Sequence, residues 1–153
     1  SMRTFTSADD IVSALGETIG TSDWLEITQE RVNQFADATG DHQWIHVDPE
    51  RAAKESPFGG PVAHGYLTLS LLPALSWQTY TVENSTMGVN YGSNKVRFVN
   101  PVLVGARVRL TAVLAAADRL DDGAVQMTVD STIEIEGATK PALVAQVISR
   151  VYF

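Results

Sequence analysis

The sequence predicts an α+β fold in which an apolar helix packs against an antiparallel sheet. Residues 63–78 are apolar nearly all round, which is typical of a buried helix. After residue 79, apolar and polar residues alternate with a period of two, as in strands with one buried face. The length of 153 residues suits one domain with its own core, which we assign to residues 2–153. Ser1 precedes Met2 and is interpreted as a cloning remnant.

The first half of the chain predicts short elements separated by glycine and proline. Residues 7–15 form a helix with Ser7 as its N-cap, and residues 23–27 form a strand. Thr28 caps a second helix that runs to residue 38, and Gly40 ends it in the left-handed conformation. A third helix covers residues 48–54, with its N-cap at residue 48 and a proline at its first position.

The second half predicts a sheet of long strands. Residues 87–91 and 95–99 form two strands joined by residues 92–94, and three longer strands cover residues 106–117, 124–136 and 142–152. In the first of the long strands, one face carries only apolar residues, namely Val108, Leu110, Ala112 and Leu114. Because a long strand at a sheet edge leaves backbone groups unpaired, we expect two copies to pair as a homodimer.

Composition excludes several classes of protein. The net charge of −7 argues against a nucleic-acid binder, which needs a clustered basic surface. No apolar stretch is long enough to span a bilayer, and residues 1–10 lack the apolar core of a signal peptide. The sequence has no cysteine, so it offers neither a disulfide nor a thiolate nucleophile. These observations together predict a cytoplasmic protein that binds no membrane.

Residues 38–72 carry the candidate chemistry. A polar loop contains Asp41 and His46, which are both able to move protons, and Gly65 lies where the apolar helix begins. A carboxylate and an imidazole that share a water can add that water to an activated double bond, since the reaction needs two proton transfers. A backbone N–H at the start of a helix can stabilise the charge that develops on a carbonyl oxygen. This chemistry requires neither a metal nor a redox cofactor.

The residues around this loop resemble a known family. The chain reads FADATGD at residues 35–41, then His46, then Asp-Pro at residues 48–49 and GPVAHG at residues 60–65. This pattern resembles the MaoC-like hydratases, the R-specific enoyl-CoA hydratases (hydratase 2) of the hot-dog fold. Residues 90–98 and the opening segment are similar to single-domain mycobacterial members. The resemblance covers nearly the whole chain.

The resemblance implies a fold, a reaction and site residues. The fold would be a hot dog, with a long central helix wrapped by a curved antiparallel sheet and two copies per assembly. The reaction would be reversible syn addition of water to a trans-2-enoyl-CoA, giving a (3R)-hydroxyacyl-CoA in fatty acid metabolism. Asp41 and His46 would be the catalytic pair, and Gly65 would offer its N–H to the thioester oxygen. The chain departs from the family pattern at Gln43-Trp44, where Asn-Pro is common, and this changes the loop beside Asp41.

Further residues are candidates for substrate binding, each with an ordinary alternative. Gln43 lies between the two catalytic residues. His64 precedes Gly65 and either contacts substrate or packs and hydrogen-bonds at the helix start. Lys95 and Arg97 are two apart on a predicted strand and hence on one face, where they would meet the phosphates of CoA or only face solvent.

A metal site is a competing interpretation of the loop. His42 and His46 are four residues apart, as helical metal ligands are. However, Gly40 and Pro49 bracket a segment that we do not expect to be a regular helix, and a zincin glutamate is missing. We therefore predict no metal.

Two other functions remain open from the sequence. A hot-dog acyl-CoA thioesterase would share the fold and the ligand, although the spacing of Asp41 and His46 disfavours it. A non-catalytic acyl-CoA-binding subunit would also fit the fold, although the complete motif argues against it. The residues leave open the acyl-chain length, the choice of CoA or acyl-carrier protein as carrier, and the division of acid and base roles between the pair.

Overall fold

A computed structural model describes residues 2–153. The strands are β1 (Arg3–Phe5), β2 (Thr18–Thr21), β3 (Leu25–Glu26), β4 (Tyr80–Val82), β5 (Met87–Phe98), β6 (Arg107–Arg119), β7 (Val125–Ile135) and β8 (Leu143–Tyr152). The helices are α1 (Ala8–Ser13), α2 (Gln29–Thr39), α3 (Trp44–Val47), α4 (Pro49–Glu55), α5 (Gly65–Ser70) and α6 (Leu72–Ser76). No helix within residues 2–153 is both long and apolar enough to cross a membrane.

The main sheet is antiparallel and built mostly from the second half of the chain. Its strand order is β2-β6-β7-β8-β5, with β3 also paired to β6. The three central strands follow each other in sequence and in space, whereas β5 returns to the outer side of β8. Strands β1 and β4 form a separate parallel pair. The predicted α+β class is confirmed, since helices α5 and α6 pack on one face of this sheet.

The alternating pattern in β6 corresponds to the buried face of the sheet, as predicted. Its four apolar residues, Val108, Leu110, Ala112 and Leu114, are each at most 1% exposed. Two of these, Val108 and Leu110, share a core cluster with Leu67, Leu71 and Leu75 of the helices. Each fully buried leucine of this kind contributes about 1.5–3 kcal/mol through removal of apolar surface from water. The helices that carry Gly65 are therefore fixed to the sheet by hydrophobic packing.

The prediction of one long helix over residues 63–78 is wrong. The helix begins at Gly65, because His64 has an extended backbone (φ −60°, ψ 138°), and it is interrupted between Ser70 and Leu72. At the interruption, the Leu71 N–H donates to the carbonyls of both Leu67 and Thr68. Pro73 explains the break, since proline has no N–H to donate and its ring clashes with the preceding turn.

Burial all round this segment was also predicted, and it is wrong for two aromatic residues. Tyr66 is 68% exposed and Trp77 is 74% exposed, whereas Leu67 and Leu75 are buried. The segment thus has one core-facing side and one open side. Trp77 lines a groove of about 770 Å³ between the helices and the strands β8 and β5.

The two short strands predicted for residues 87–99 form the single strand β5. The pairing of β5 with β8 shifts register between Asn90 and Gly92 and again between Asn94 and Arg97. These shifts are β-bulges, which leave residues unpaired without ending the strand. The polar residues that resemble a turn in the sequence therefore lie within a continuous edge strand.

The first half of the chain follows the predicted caps more closely than the predicted strands. The side chains of Ser7 and Thr28 accept hydrogen bonds from the first turns of α1 and α2, and Gly40 ends α2 with φ +88°. The strand expected over residues 23–27 contains only Leu25–Glu26. Strands β1 and β2 were not predicted, because their three and four residues are too short to show a period of two.

Candidate active site

The loop after α2 brings two of the predicted catalytic residues to one place. Gly40 turns the chain out of α2, and Asp41 follows in the loop. One helical turn, α3 (Trp44–Val47), then carries His46. The expectation that residues 40–49 contain no regular helix is therefore wrong for this single turn. Asp48 ends α3 and caps α4 by accepting the Arg51 N–H through its side chain, as predicted.

One hydrogen bond orients the imidazole of His46, and a second holds its backbone. Its Nδ1 lies 2.7 Å from the Val62 carbonyl oxygen. Because a carbonyl only accepts, Nδ1 carries the proton, and Nε2 of the neutral ring is left as an acceptor. The Gln29 side-chain amide donates to the His46 carbonyl at 2.7 Å and so holds the backbone of α3. His46 is thus set up to take a proton on Nε2.

Asp41 is held mainly through its backbone. Its carboxylate is exposed, and Oδ1 accepts the Gln43 N–H at 3.3 Å. Its carbonyl oxygen accepts a hydrogen bond from Nε2 of His64 at 3.0 Å. Gln43 therefore contacts Asp41 through its main chain, while its own side chain is exposed. The carboxylate remains free to accept a proton or a further hydrogen bond.

His64 joins the site as a buried residue. It is only 3% exposed, and its ring stacks on that of His46 with centroids 3.8 Å apart and planes inclined by 24°. The ring of Phe35 packs against it at a centroid distance of 4.9 Å. One ligand-type atom each from Asp41, His46 and His64 lies within 4.8 Å of the others. The structure therefore makes a three-residue cluster out of two predicted catalytic residues and one predicted binding residue.

This cluster, and not the pair of His42 and His46, is the set with the chemistry to hold a metal. A carboxylate and two imidazoles are ordinary ligands of zinc. His42 instead pairs with Asp37 at 3.0 Å on the surface. The same three groups can equally hold a water, and the absence of a metal remains a prediction that chelation can test.

Gly65 is the first residue of α5, and its backbone N–H has no hydrogen-bond acceptor within residues 2–153. The helix hydrogen bonds begin with the His64 carbonyl, which accepts from the N–H groups of Leu67 and Thr68. A Cβ atom at Gly65 would lie 3.0 Å from the ring of Phe98, closer than such contacts normally occur. A larger residue here would therefore require the Phe98 ring to move by a few tenths of an ångström. A cleft of about 230 Å³ adjoins Gly65, Thr68 and Phe98.

Lys95 and Arg97 are exposed on β5, but the reason given for placing them on one face does not hold. A bulge lies between Asn94 and Arg97, and Lys95 has a left-handed backbone with φ +54°. The bulge breaks the alternation of the strand. Arg97 donates to the Val96 carbonyl, and neither cation contacts the cluster within the described chain. Their role in binding substrate remains a prediction.

Three residues of the site were missed by sequence reasoning. Val62 acts through its carbonyl and Gln29 through its side-chain amide, and both bond to His46 from distant positions in the chain. Phe98 contacts Gly65 from the far end of β5. A backbone carbonyl leaves no mark in a sequence, and Gln29 looks like an ordinary first-turn residue of α2. No signal in one sequence identifies these partners.

The chain is similar to known proteins in both sequence and structure. The chain is 59% identical over 149 residues to 3-hydroxyacyl-thioester dehydratase Z of Mycobacterium tuberculosis, covering 97% of this chain and 98% of that protein. Two solved structures show the same fold at 24% identity. A monoamine oxidase regulatory protein from Archaeoglobus has a TM-score of 0.79, covering 97% of this chain and 95% of that one. The (R)-hydratase from A. caviae involved in PHA biosynthesis has a TM-score of 0.69, covering 87% of this chain and 95% of that one. The predicted hot-dog fold is confirmed.

The same comparison settles the family. A model described as the MaoC like domain matches residues 10–135, which include Asp41, His46 and Gly65. The resemblance found in the motif residues is therefore confirmed, and so is its mycobacterial character at the level of overall identity. The chain belongs to the MaoC-like domain family.

Proposed function

We propose that the protein is a hydro-lyase that adds water reversibly to a trans-2-enoyl thioester and, in reverse, dehydrates a (3R)-hydroxyacyl thioester. The observation that carries the proposal is the convergence of Asp41, His46 and His64, since one ligand-type atom from each side chain lies within 4.8 Å of the others. The dehydratase name of the mycobacterial relative, at 59% identity over nearly the whole chain, supports the same reaction class.

The proton transfers follow from the hydrogen bonds of the pair. A water held by the Asp41 carboxylate and His46 Nε2 loses one proton as its oxygen attacks the β-carbon. The α-carbon gains a proton, so that one water is consumed and no other reactant is needed. Because Val62 holds the proton of His46 on Nδ1, Nε2 is in the form that accepts the water proton. The two groups share one water, so their titrations are coupled and the acid and base roles belong to the pair.

Gly65 supplies the stabilisation of negative charge. Its N–H has no acceptor in the described chain and adjoins a cleft wide enough for a carbonyl group. As charge develops on the thioester oxygen, this amide donates to it without rearrangement. One such donor contributes about 2.7–4 kcal/mol in comparable oxyanion holes. The proposal therefore places the thioester between Gly65 and the catalytic pair.

The carrier and the assembly extend this proposal. We assign CoA as the carrier, with exposed Lys95 and Arg97 near its phosphates and with Gln43 beside the acyl group; His64 is 3% exposed and is assigned no contact with substrate. We assign a homodimer because β5 is a twelve-residue edge strand that bonds to β8 along one side. Its exposed apolar residues include Met87, Val89 and Tyr91. Covering this edge with a second copy would remove both unpaired backbone groups and apolar surface from water.

The two alternatives make different products. A thioesterase would release free thiol from an acyl-CoA, whereas a non-catalytic subunit would bind acyl-CoA and change nothing. The cluster of Asp41 and His46 favours hydration over both, since each group has a free acceptor site for a proton of the same water. A thiol-detection assay separates the first alternative, and binding without turnover would favour the second.

The test is hydration of crotonyl-CoA and of longer trans-2-enoyl-CoAs. The rate is measured as loss of the enoyl-thioester absorbance, and the stereochemistry of the product is determined separately. We expect hydration to the 3R product, and we expect Asp41→Asn to lower kcat by about 10²–10⁴. His42→Gln is the matched control, because this exposed histidine pairs with Asp37 on the surface. Folded protein that binds acyl-CoA but hydrates no enoyl-CoA would contradict the proposal.

A further inference from the structure

We propose that His64 is a positioning residue, which holds Asp41 in place through a backbone hydrogen bond and supports the ring of His46. This inference rests on the proposed function and assigns a specific part in it to a residue whose side chain is buried. The argument uses four features of His64, namely its donor nitrogen, its stacking, its burial and its position beside Gly65.

The donor nitrogen restrains the Asp41 backbone. His64 Nε2 lies 3.0 Å from the Asp41 carbonyl oxygen, and because that oxygen only accepts, Nε2 carries the proton. Asp41 follows the left-handed Gly40 in an exposed stretch of loop. Its side chain is otherwise bonded only to the Gln43 N–H among the described residues. The bond from His64 is thus the one that ties Asp41 to the core.

The stacked rings restrain His46. The ring centroids of His64 and His46 lie 3.8 Å apart, and those of Phe35 and His64 lie 4.9 Å apart. The bond to Val62 fixes the direction of His46 Nδ1, and the stacking fixes the plane of its ring. Together they determine where His46 Nε2 points.

Burial distinguishes this role from proton transfer and from plain packing. His64 is 3% exposed, and its Nδ1 is buried without a hydrogen-bond partner within residues 2–153. A buried nitrogen without a partner is unfavourable, so an apolar ring of similar shape would pack here at lower cost. What histidine adds is the Nε2–H that reaches Asp41. His64 also directly precedes Gly65, so one residue sets the spacing of all three proposed catalytic groups.

A pair of amide variants tests this directly. In His64→Gln, the amide nitrogen is as many bonds from the backbone as Nε2 of histidine, so it can still donate to Asp41. In His64→Asn, the donor is one bond short. With crotonyl-CoA, we expect the Asn variant to lose about 10² in kcat with a smaller change in KM, since a displacement of about 1 Å costs that much. We expect the Gln variant to recover at least about tenfold of that loss.

A second readout does not depend on activity. Hydrogen exchange at the Gln43 amide reports the order of the Asp41 loop, and we expect it to accelerate in the Asn variant and not in the Gln variant. His64→Phe keeps the ring and its stacking on His46 but loses the donor, so it should also accelerate this exchange, and it replaces the Asn variant if that variant fails to fold.

Three outcomes would overturn the positioning role. These are wild-type kcat in the Asn or Phe variant, equal kcat losses in the Gln and Asn variants, and unchanged Gln43 exchange in every variant. Lack of hydration by the wild-type protein would instead contradict the proposed function. The exchange measurement would still decide whether His64 orders the loop.

Discussion

The loop region of residues 40–64 and the sheet region of residues 87–152 are stabilised in different ways. In the sheet, many apolar side chains contribute similar amounts, as in the buried face of β6. In the loop, a few specific hydrogen bonds decide the geometry, such as those from His46 to Val62 and from His64 to Asp41. The difference indicates that mutations in the sheet should change stability, whereas mutations in the loop should change catalysis.

The largest effects on catalysis are expected at the pair of His46 and Asp41. His46→Ala removes the proton acceptor on Nε2 and should lower kcat for enoyl-CoA hydration by about 10²–10⁴. Steady-state kinetics with crotonyl-CoA measure this loss, and His42→Ala is the matched control on the surface. Equal kcat for the two variants would remove His46 from the catalytic pair.

Shortening Leu110 in the sheet region should lower the free energy of unfolding and leave kcat unchanged. Leu110 is fully buried in the core under α5 and α6, so Leu110→Ala should reduce the free energy of unfolding by about 2–5 kcal/mol. Urea unfolding measures it, and Leu15→Ala, at a residue that is 54% exposed, should cost less than about 0.5 kcal/mol. If the folded Leu110 variant had lost its kcat, stability and catalysis would not separate as we expect.

A methyl group at Gly65 should affect catalysis through packing. In Gly65→Ala, the new Cβ would lie 3.0 Å from the Phe98 ring, so the ring or the start of α5 must move by a few tenths of an ångström. Since a misplacement of ~1 Å costs ~10² in rate, this smaller shift should lower kcat by about tenfold or less. Adding Phe98→Ala should restore part of this activity. Gly60→Ala is the control and should be tolerated, because its Cβ would meet Leu103 at an ordinary contact distance of 3.7 Å. A double variant no better than Gly65→Ala would contradict this explanation.

A smaller effect on stability is expected from Tyr80 at alkaline pH. Burial raises the pKa of Tyr80, and a hydrogen bond with Ser149 opposes part of the rise. The stabilisation from the neutral phenol is complete below the unfolded pKa of about 10 and is lost as pH rises through the folded pKa. The unfolding free energy of the wild type, relative to that of Tyr80→Phe, should therefore fall above pH ~10. Urea unfolding across this range measures it, with exposed Tyr66→Phe as control, and a constant difference would contradict it.

Chelation is expected to have no effect. The Asp41 carboxylate and His46 Nε2 are assigned to a water, and His64 Nε2 donates to the Asp41 backbone carbonyl, so EDTA should leave the rate of hydration unchanged. Loss of activity on dialysis against EDTA, with recovery on adding Zn²⁺, would show that the cluster holds a metal.

The sequence was most informative where one residue determines its own surroundings. The N-caps at Ser7 and Thr28 and the left-handed Gly40 depend on local geometry, and all three were predicted correctly. The pairing of Asp41 with His46 was also predictable, through the family motif. By contrast, the support from Val62 and Gln29 depends on tertiary contacts, which one sequence does not specify. The prediction of a single long helix was wrong because it considered the apolar pattern and ignored the helix-breaking effect of Pro73.

The most direct test of the shared-water pair is a double-mutant cycle on kcat for crotonyl-CoA, using Asp41→Asn, His46→Ala and the double variant. If both groups act on one water, the double variant should lose about as much kcat as the worse single variant. If the losses multiply, or if either single variant turns over like wild type, the two residues do not act as one catalytic unit.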